Sequence, residues 1–366
     1  MKIETTLENV QGVIAKIQKV SSKNLSLPVL ENVLLTAQGK ECIARVTNLH
    51  VGVEVTLPVK VIKEGEIAVN LSVLAQITSS LTGNGSVVLE TEGTTLRIST
   101  DSSDMQVKLA AHNDFPTLPK VEDGTPITLP IETLIDGVKS VMYSASLSDI
   151  KPEISSVFIY SENNELVFVA TDSFRLAERR VVVDTKAEVP GVIIPVKNIQ
   201  ECVKVFSGST GDVSIIIGKN QLSIQSDSVY FTSRIIDGNY PEYQKIIPTE
   251  SITDVVVLKD ELVKALRLVN VFSDNFNQIT LSVDQKAGKI TMHSRNTDVG
   301  ENHTTVDAAV KGIDIEMHLN HKYLGDVLQS LATDSVQFSF VDKGKPCVLR
   351  GVGDPSFLYL IMPMNR

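Results

Sequence analysis

Few groupings of residues in the 366-residue sequence could do chemistry. His318 and His321 stand three apart at the start of a helical pattern, but no cysteine stands beside them to complete a zinc ligand set. Asp101 and Asp104 fall close together in a loop pattern, where solvation accounts for them. Cys42, Cys202 and Cys347 lie far apart with no CxxC, which fits neither a zinc site nor a disulfide framework. They read as core or strand residues. There is no P-loop, no GxGxxG, no GxSxG elbow and no HExxH. The expectation is binding rather than catalysis: no enzyme, no cofactor and no metal.

Two segments remain unusual. Thr171-Asp172-Ser173-Phe174-Arg175-Leu176-Ala177 places an aromatic and an arginine in a turn, where Asp172 can hydrogen-bond local backbone. The chain also closes on the apolar run Phe357–Met364, interrupted by Pro363, after which Met364 should stand exposed as an adaptable thioether.

The elements that must hold these segments repeat. Asn48, Asp172 and Asn296 are spaced by 124 residues twice over, and so are Val69, Ile193 and Met317. Within each unit a short strand leads to a helix and then to alternating strands, and this happens twice. Val10, Val13, Ile14 and Ile17 make the i, i+3, i+4, i+7 stripe of a helix packed on one face. Further helical patterns cover 71–81, 131–143, 196–206, 260–272 and 321–331. Strands are expected at 179–183, 304–309 and many places between. The segments 115–119 and 240–248 are proline-bearing linkers. The fold class is therefore α+β. Three similar domains are expected at 1–120, 121–249 and 250–366, each of two β-α-β-β-β halves.

With 42% apolar and 21% charged residues, the chain suits folded domains rather than disorder. Its net charge of −10 argues against a protein that simply coats nucleic acid. The helical segments nevertheless carry a small basic surplus. Lys16 and Lys19 lie opposite the apolar stripe of the first helix, and Lys197 and Lys204 share one face of the fourth. The first eight residues include acids where a secretory leader would need an apolar core, and no apolar run approaches membrane-spanning length. A soluble, cytoplasmic protein is expected.

Together Thr171–Ala177, Tyr240–Pro248 and Met362–Met364 resemble the TDxxRLA, xPxYxxxxP and MPM segments of the bacterial DNA polymerase III β-subunit family, the sliding clamps. The stretches 24–32, 114–116, 231–234 and 237–238 also match, so the resemblance spans the chain. It implies the DNA clamp fold, with helices lining the inside and sheets outside. It further implies a head-to-tail homodimer encircling double-stranded DNA without reading its sequence. The polymerase III catalytic subunit, the clamp loader and repair polymerases would dock by short peptides.

Carried over by position, the peptide cleft comprises Ile154, Thr171, Ser173, Phe174, Arg175, Leu176, Pro241, Ile246, Pro346, Leu360, Met362, Pro363 and Met364. The duplex-facing residues are Lys23, Asn24, Ser148, Lys151, Lys197 and Lys204. The subunit seam sets Met105 and Val107 of one chain against Val271 and Phe272 of the other. Ser173 and Phe174 occupy slots where the family often has glycine and histidine. The alternative is a peptide-binding adaptor of the same fold that does not encircle DNA.

Overall fold

The computed structural model describes residues 1–20, 27–83, 85–124, 126–183 and 189–364. Among these lie twenty-five strands and six α-helices: α1 (Leu7–Ile17), α2 (Leu71–Ser80), α3 (Ile131–Val141), α4 (Val196–Val205), α5 (Lys259–Val271) and α6 (His321–Val327). The architecture is the α+β one that the alternating patterns predict.

Two compact units form, Met1–Ile135 with Lys197–Ile236 and Asp136–Val196 with Asp237–Arg366. Each is organised by one continuous antiparallel sheet, which is why the division falls inside the middle third of the chain rather than at the proline-bearing linkers.

In the first unit, thirteen strands run from Ile127–Pro130 at one edge to Lys60–Lys63 at the other. Its central joint pairs Val229–Arg234 with Val51–Pro58, in the register Val229↔Val55 to Ser233↔Val51. In the second unit, twelve strands run from Val192–Pro195 to Ile315–Asn320. Here the long-range joint pairs Arg175–Val182 with the last strand, Phe357–Ile361, from Arg175↔Ile361 to Arg179↔Phe357.

Amphipathic patterning sets the helices on these sheets. In α1 the expected stripe of Val10, Val13, Ile14 and Ile17 is buried along with Leu7, each side chain contributing about 1.5–3 kcal/mol relative to exposure. Thr6 caps it by accepting the Asn9 N–H, and Asn70 caps α2 by accepting the Val73 N–H. Gln11 then donates to the Thr78 and Leu81 carbonyls, which fastens α1 to the otherwise unsatisfied end of α2. In α3, a Cβ on Gly137 would lie 2.4 Å from the Phe168 ring, so only glycine lets the helix approach the sheet this closely.

The 124-residue repeat is a physical repeat. Asn48 Oδ1 accepts the N–H groups of His50 and Val51, and Asp172 Oδ1 accepts those of Phe174 and Arg175. Asn296 Oδ1 accepts that of Asp298. Each side chain closes its own backbone into an Asx turn. In the first two turns the preceding threonine hydroxyl also donates to the carbonyl four residues on, and the residue after the Asx has positive φ, Leu49 at 73° and Ser173 at 76°.

Several boundaries differ from expectation. The sixth helix stops at Val327 instead of 331, because Gln329 and Ser330 bond three residues back and tighten the chain into a 3₁₀-type turn. Strand Arg175–Val182 begins directly after the Asx turn, not at 179, and Gly300–Lys311 runs well beyond 304–309 at both ends. Lys60–Lys63 is a strand with no sequence signal. Among the described residues it pairs only with the first strand, and with an irregular register. All three cysteines are free and buried, as their lone positions suggest.

Candidate partner cleft, duplex face and seam

The turn at 171–175 converts an ordinary repeat feature into a clamp on an arginine. Asp172 spends Oδ1 on the backbone and offers Oδ2 to Arg175 Nε at 3.0 Å. The guanidinium also donates to Asp326 and to the Tyr143 carbonyl (2.6 Å), and it lies 4.3 Å from the centre of the Tyr323 ring. All three guanidinium nitrogens thus donate within the chain. Arg175, one of the expected partner contacts, braces the turn against α6, and its neighbour Phe174 is 62% exposed.

The C-terminal run is tied to the same turn. Phe357–Ile361 completes the sheet, the Met362 N–H then donates to the Phe174 carbonyl (2.8 Å), and the Met364 N–H donates to the His318 carbonyl (2.8 Å). This second bond explains why Met364, expected to stand exposed, is half-buried.

The linker contributes from the other side. Tyr240 stacks on Phe158 at 4.7 Å, and Tyr243 drops into a core of Val167, Val169, Leu176, Val348, Leu358 and Leu360, against which Met362 packs. The Tyr243 hydroxyl donates to the buried Glu178 carboxylate and meets the Tyr160 hydroxyl at 2.7 Å. Burial first, then these two hydrogen bonds, hold its phenol well above the usual value, so it remains a donor.

The expected cleft residues therefore separate by depth. Leu176, Leu360, Thr171 and Pro346 are buried. Phe174, Ser173, Pro241 and Ile246 are exposed. Ile154, Met362, Pro363 and Met364 are half-buried. Tyr323, Asp326, Tyr143 and Glu178, which hold these surfaces in place, carry no sequence signal of their own.

Of the expected duplex-facing residues, Lys23 and Asn24 lie outside the described residues. Ser148 and Lys151 are exposed on the loop after α3, beside Leu147 and Ile150, whose exposures of 92% and 88% are extreme for apolar side chains. Lys197 and Lys204 are exposed on one face of α4, while Ile199, Cys202 and Val203 are buried on the other.

Between the lysines lies Glu201, whose carboxylate accepts both of its hydrogen bonds from Asn48 Nδ2, at 3.1 Å. Burial pushes its carboxyl up from an ordinary 4.5 to about 7. The folded chain thus holds this proton more tightly than the unfolded one, and stability falls as pH rises from 4.5 through about 7. Glu201→Gln is expected to raise stability at pH 8, by about 1–2 kcal/mol after solvent screening of this half-buried group, and to change little at pH 4.5. Urea unfolding at the two pH values checks this; an equal effect at both would exclude titration as the cause.

The expected seam residues sit beside two open strand edges. Asp104–Ala110 pairs with Thr95–Ser99 along one side, while on the other only Leu109 and Ala110 are paired among the described residues. Gly300–Lys311 pairs with Lys289–Asn296 on one side over 300–307, and with Thr253–Leu258 on the other only from 308 onward. Val271 is exposed at the end of α5, next to the half-buried Phe272, whose ring packs 3.8 Å from the position of a Cβ on Gly300. Met105 is half-buried. Val107 is only 8% exposed, because strand alternation turns it into its own core, so it has little side chain left to offer a partner.

His318 Nδ1 meets the Thr280 hydroxyl at 3.0 Å, and His321 is buried at the head of α6. No helix among the described residues is long and apolar enough to cross a membrane.

Models of the N-terminal, central and C-terminal domains of the DNA polymerase III beta subunit match residues 1–119, 128–242 and 244–365. The beta sliding clamp of Synechococcus elongatus is 28% identical over 347 residues, covering 92% of each chain. That of Staphylococcus aureus is 26% identical over 358 residues, 95% of this chain and 94% of the other. The solved DNA polymerase III beta subunits of Pseudomonas aeruginosa and Thermotoga maritima each superpose with a TM-score of 0.94, at 23% and 24% identity. Each alignment covers 100% of this chain, with 100% and 99% of the respective partner.

Proposed function

We propose, from the premise that this chain belongs to the DNA polymerase III beta-subunit family of sliding clamps, that two copies close head to tail around duplex DNA and carry partner proteins along it. The observation that carries the assembly is the pair of open edges, at 104–108 in one unit and 300–307 in the other. An open edge presents unpaired backbone donors and acceptors and invites another strand. Because the two edges are different surfaces, their pairing is heterologous, and such pairing yields either a closed ring or a fibre. Two copies and two seams close it. The domain bounds that fit this assembly are 1–120, 121–249 and 250–366.

Encirclement also reconciles an acidic chain with DNA. A ring retains its duplex topologically, so only weak phosphate contacts are needed, from Lys197 and Lys204 on α4 and from Ser148 and Lys151, with Lys23 and Asn24 completing the set. Base readout plays no part, and the acidic remainder discourages binding elsewhere.

Partners dock in the cleft rimmed by Phe174, Ile246, Pro241 and Met362–Met364. These are the polymerase III catalytic subunit, the clamp loader and repair polymerases, each inserting a short apolar peptide. Tethering them to a ring raises their effective concentration on the template. The protein works in the cytoplasm as a binding platform, without catalysis or cofactor.

The test is retention. Loaded on nicked circular DNA by the clamp loader, the protein is expected to stay through a high-salt wash and to leave when the circle is cut. Equal retention on circle and linear DNA would overturn encirclement. A stable monomer that still binds peptide would establish the adaptor reading.

A further inference from the structure

On strand Gly300–Lys311, whose open edge the proposed seam uses, one cluster of metal-ligating side chains is drawn together by register on the paired side of the strand. His293 on strand Lys289–Asn296 pairs directly with His303 on Gly300–Lys311. Glu301 lies two residues before His303 and so projects from the same face of the ladder. The two imidazoles stack with centroids 4.1 Å apart and planes 13° from parallel. A ligand atom from each of the three side chains lies within 4.8 Å of the other two.

Two details separate this group from an ordinary cross-strand aromatic pair. His293 Nε2 is shut off from solvent yet has no hydrogen-bond partner. Its nearest acid oxygen, Glu301 Oε2, lies 3.8 Å away, too far for a hydrogen bond. In a tetrahedral zinc site, ligand atoms about 2.0–2.1 Å from the metal stand about 3.3 Å from one another. The His293–Glu301 gap therefore closes by about half an ångström, and the widest separation in the group by at most about 1.5 Å, through side-chain rotation on an unmoved ladder.

We propose that His293, Glu301 and His303 form a divalent transition-metal site, with Zn²⁺ as the fitting ion and water in the fourth position. Two neutral imidazoles and one carboxylate are the borderline donors that zinc, cobalt and nickel take, whereas magnesium and calcium prefer oxygen alone. Antiparallel pairing supplies the preorganisation, because backbone hydrogen bonds on both sides of the His293↔His303 rung fix the two Cα positions. Arg295, opposite Glu301 in the ladder, is a competing partner for the carboxylate, which keeps the site moderate in affinity. The proposal stands on ladder geometry and does not depend on ring formation.

The test uses tag-free full-length protein stripped with a chelator and titrated with zinc chloride, followed by calorimetry and by the visible spectrum of the cobalt(II)-loaded form. One ion per chain is expected, with an intense tetrahedral cobalt band. His303→Ala, at an exposed position that leaves the fold intact, should weaken zinc binding at least tenfold and bleach the band. Glu301→Gln should weaken binding by a smaller factor and shift the band. Zinc binding unchanged in a His293→Ala/His303→Ala double variant would place the ion elsewhere and overturn the proposal. So would no binding by the wild-type chain, which would leave the pair as stacking alone.

Discussion

Replacing Phe272 by aspartate is expected to convert the proposed dimer to monomer at micromolar concentration. Phe272 caps α5 next to the exposed Val271 and packs over Gly300, at the start of the open edge of Gly300–Lys311. An uncompensated charge buried in such a seam costs about 3–5 kcal/mol, enough to weaken each of two seams several-hundredfold. Sedimentation velocity at graded concentrations reads the change, and an unaltered profile would remove Phe272 from the seam. Since an aspartate at a half-buried position could also unsettle α5, Phe272→Ala provides the second reading. It should weaken the dimer in the same direction by a smaller factor while leaving the circular dichroism spectrum unchanged.

Ending the chain at Ile361 is expected to abolish peptide docking while leaving dimerisation intact. Residues 362–364 are the part of the rim that follows the last strand, held by the bonds from Met362 to Phe174 and from Met364 to His318. Removing the Met362 and Met364 side chains alone, apart from Pro363, forfeits about 3 kcal/mol of anchor burial, a loss of about a hundredfold in affinity. Fluorescence anisotropy of a labelled partner peptide measures it, with sedimentation as the control for assembly. Undiminished affinity would move the docking site away from the tail. Phe174→Ala separates rim from tail, and a tenfold loss is expected there with the tail still in place.

What could be read from the sequence is what local periodicity and turn chemistry encode. The stripe of α1 is buried as its spacing requires, and Asn48, Asp172 and Asn296 prove to be like turns because the Oδ1 of each accepts backbone N–H groups two or three residues on. Partners distant in sequence left no such mark. No periodicity joins Arg175 to Ile361, or Val229 to Val55; strand pairing across that distance is settled by the packing of faces, not by local preference. Arg175 shows the same limit within the cleft. Its place in the TDxxRLA segment marks it for a role, yet its partners Tyr143, Tyr323 and Asp326 come from two other elements and turn it inward. The strand Lys60–Lys63 was invisible for a different reason. A four-residue edge with lysines at both ends has neither an apolar face nor a paired neighbour on its outer side to enforce alternation.

The last strand does double duty. Phe357–Ile361 seals the long-range joint of its unit and runs without a break into the residues that rim the cleft. Whatever grips Met362–Met364 thus holds the free end of a five-rung ladder. A cargo dragging along that tail would load the rungs in shear, all together, instead of peeling them one at a time. Traction on the passenger would splint the sheet rather than unravel it.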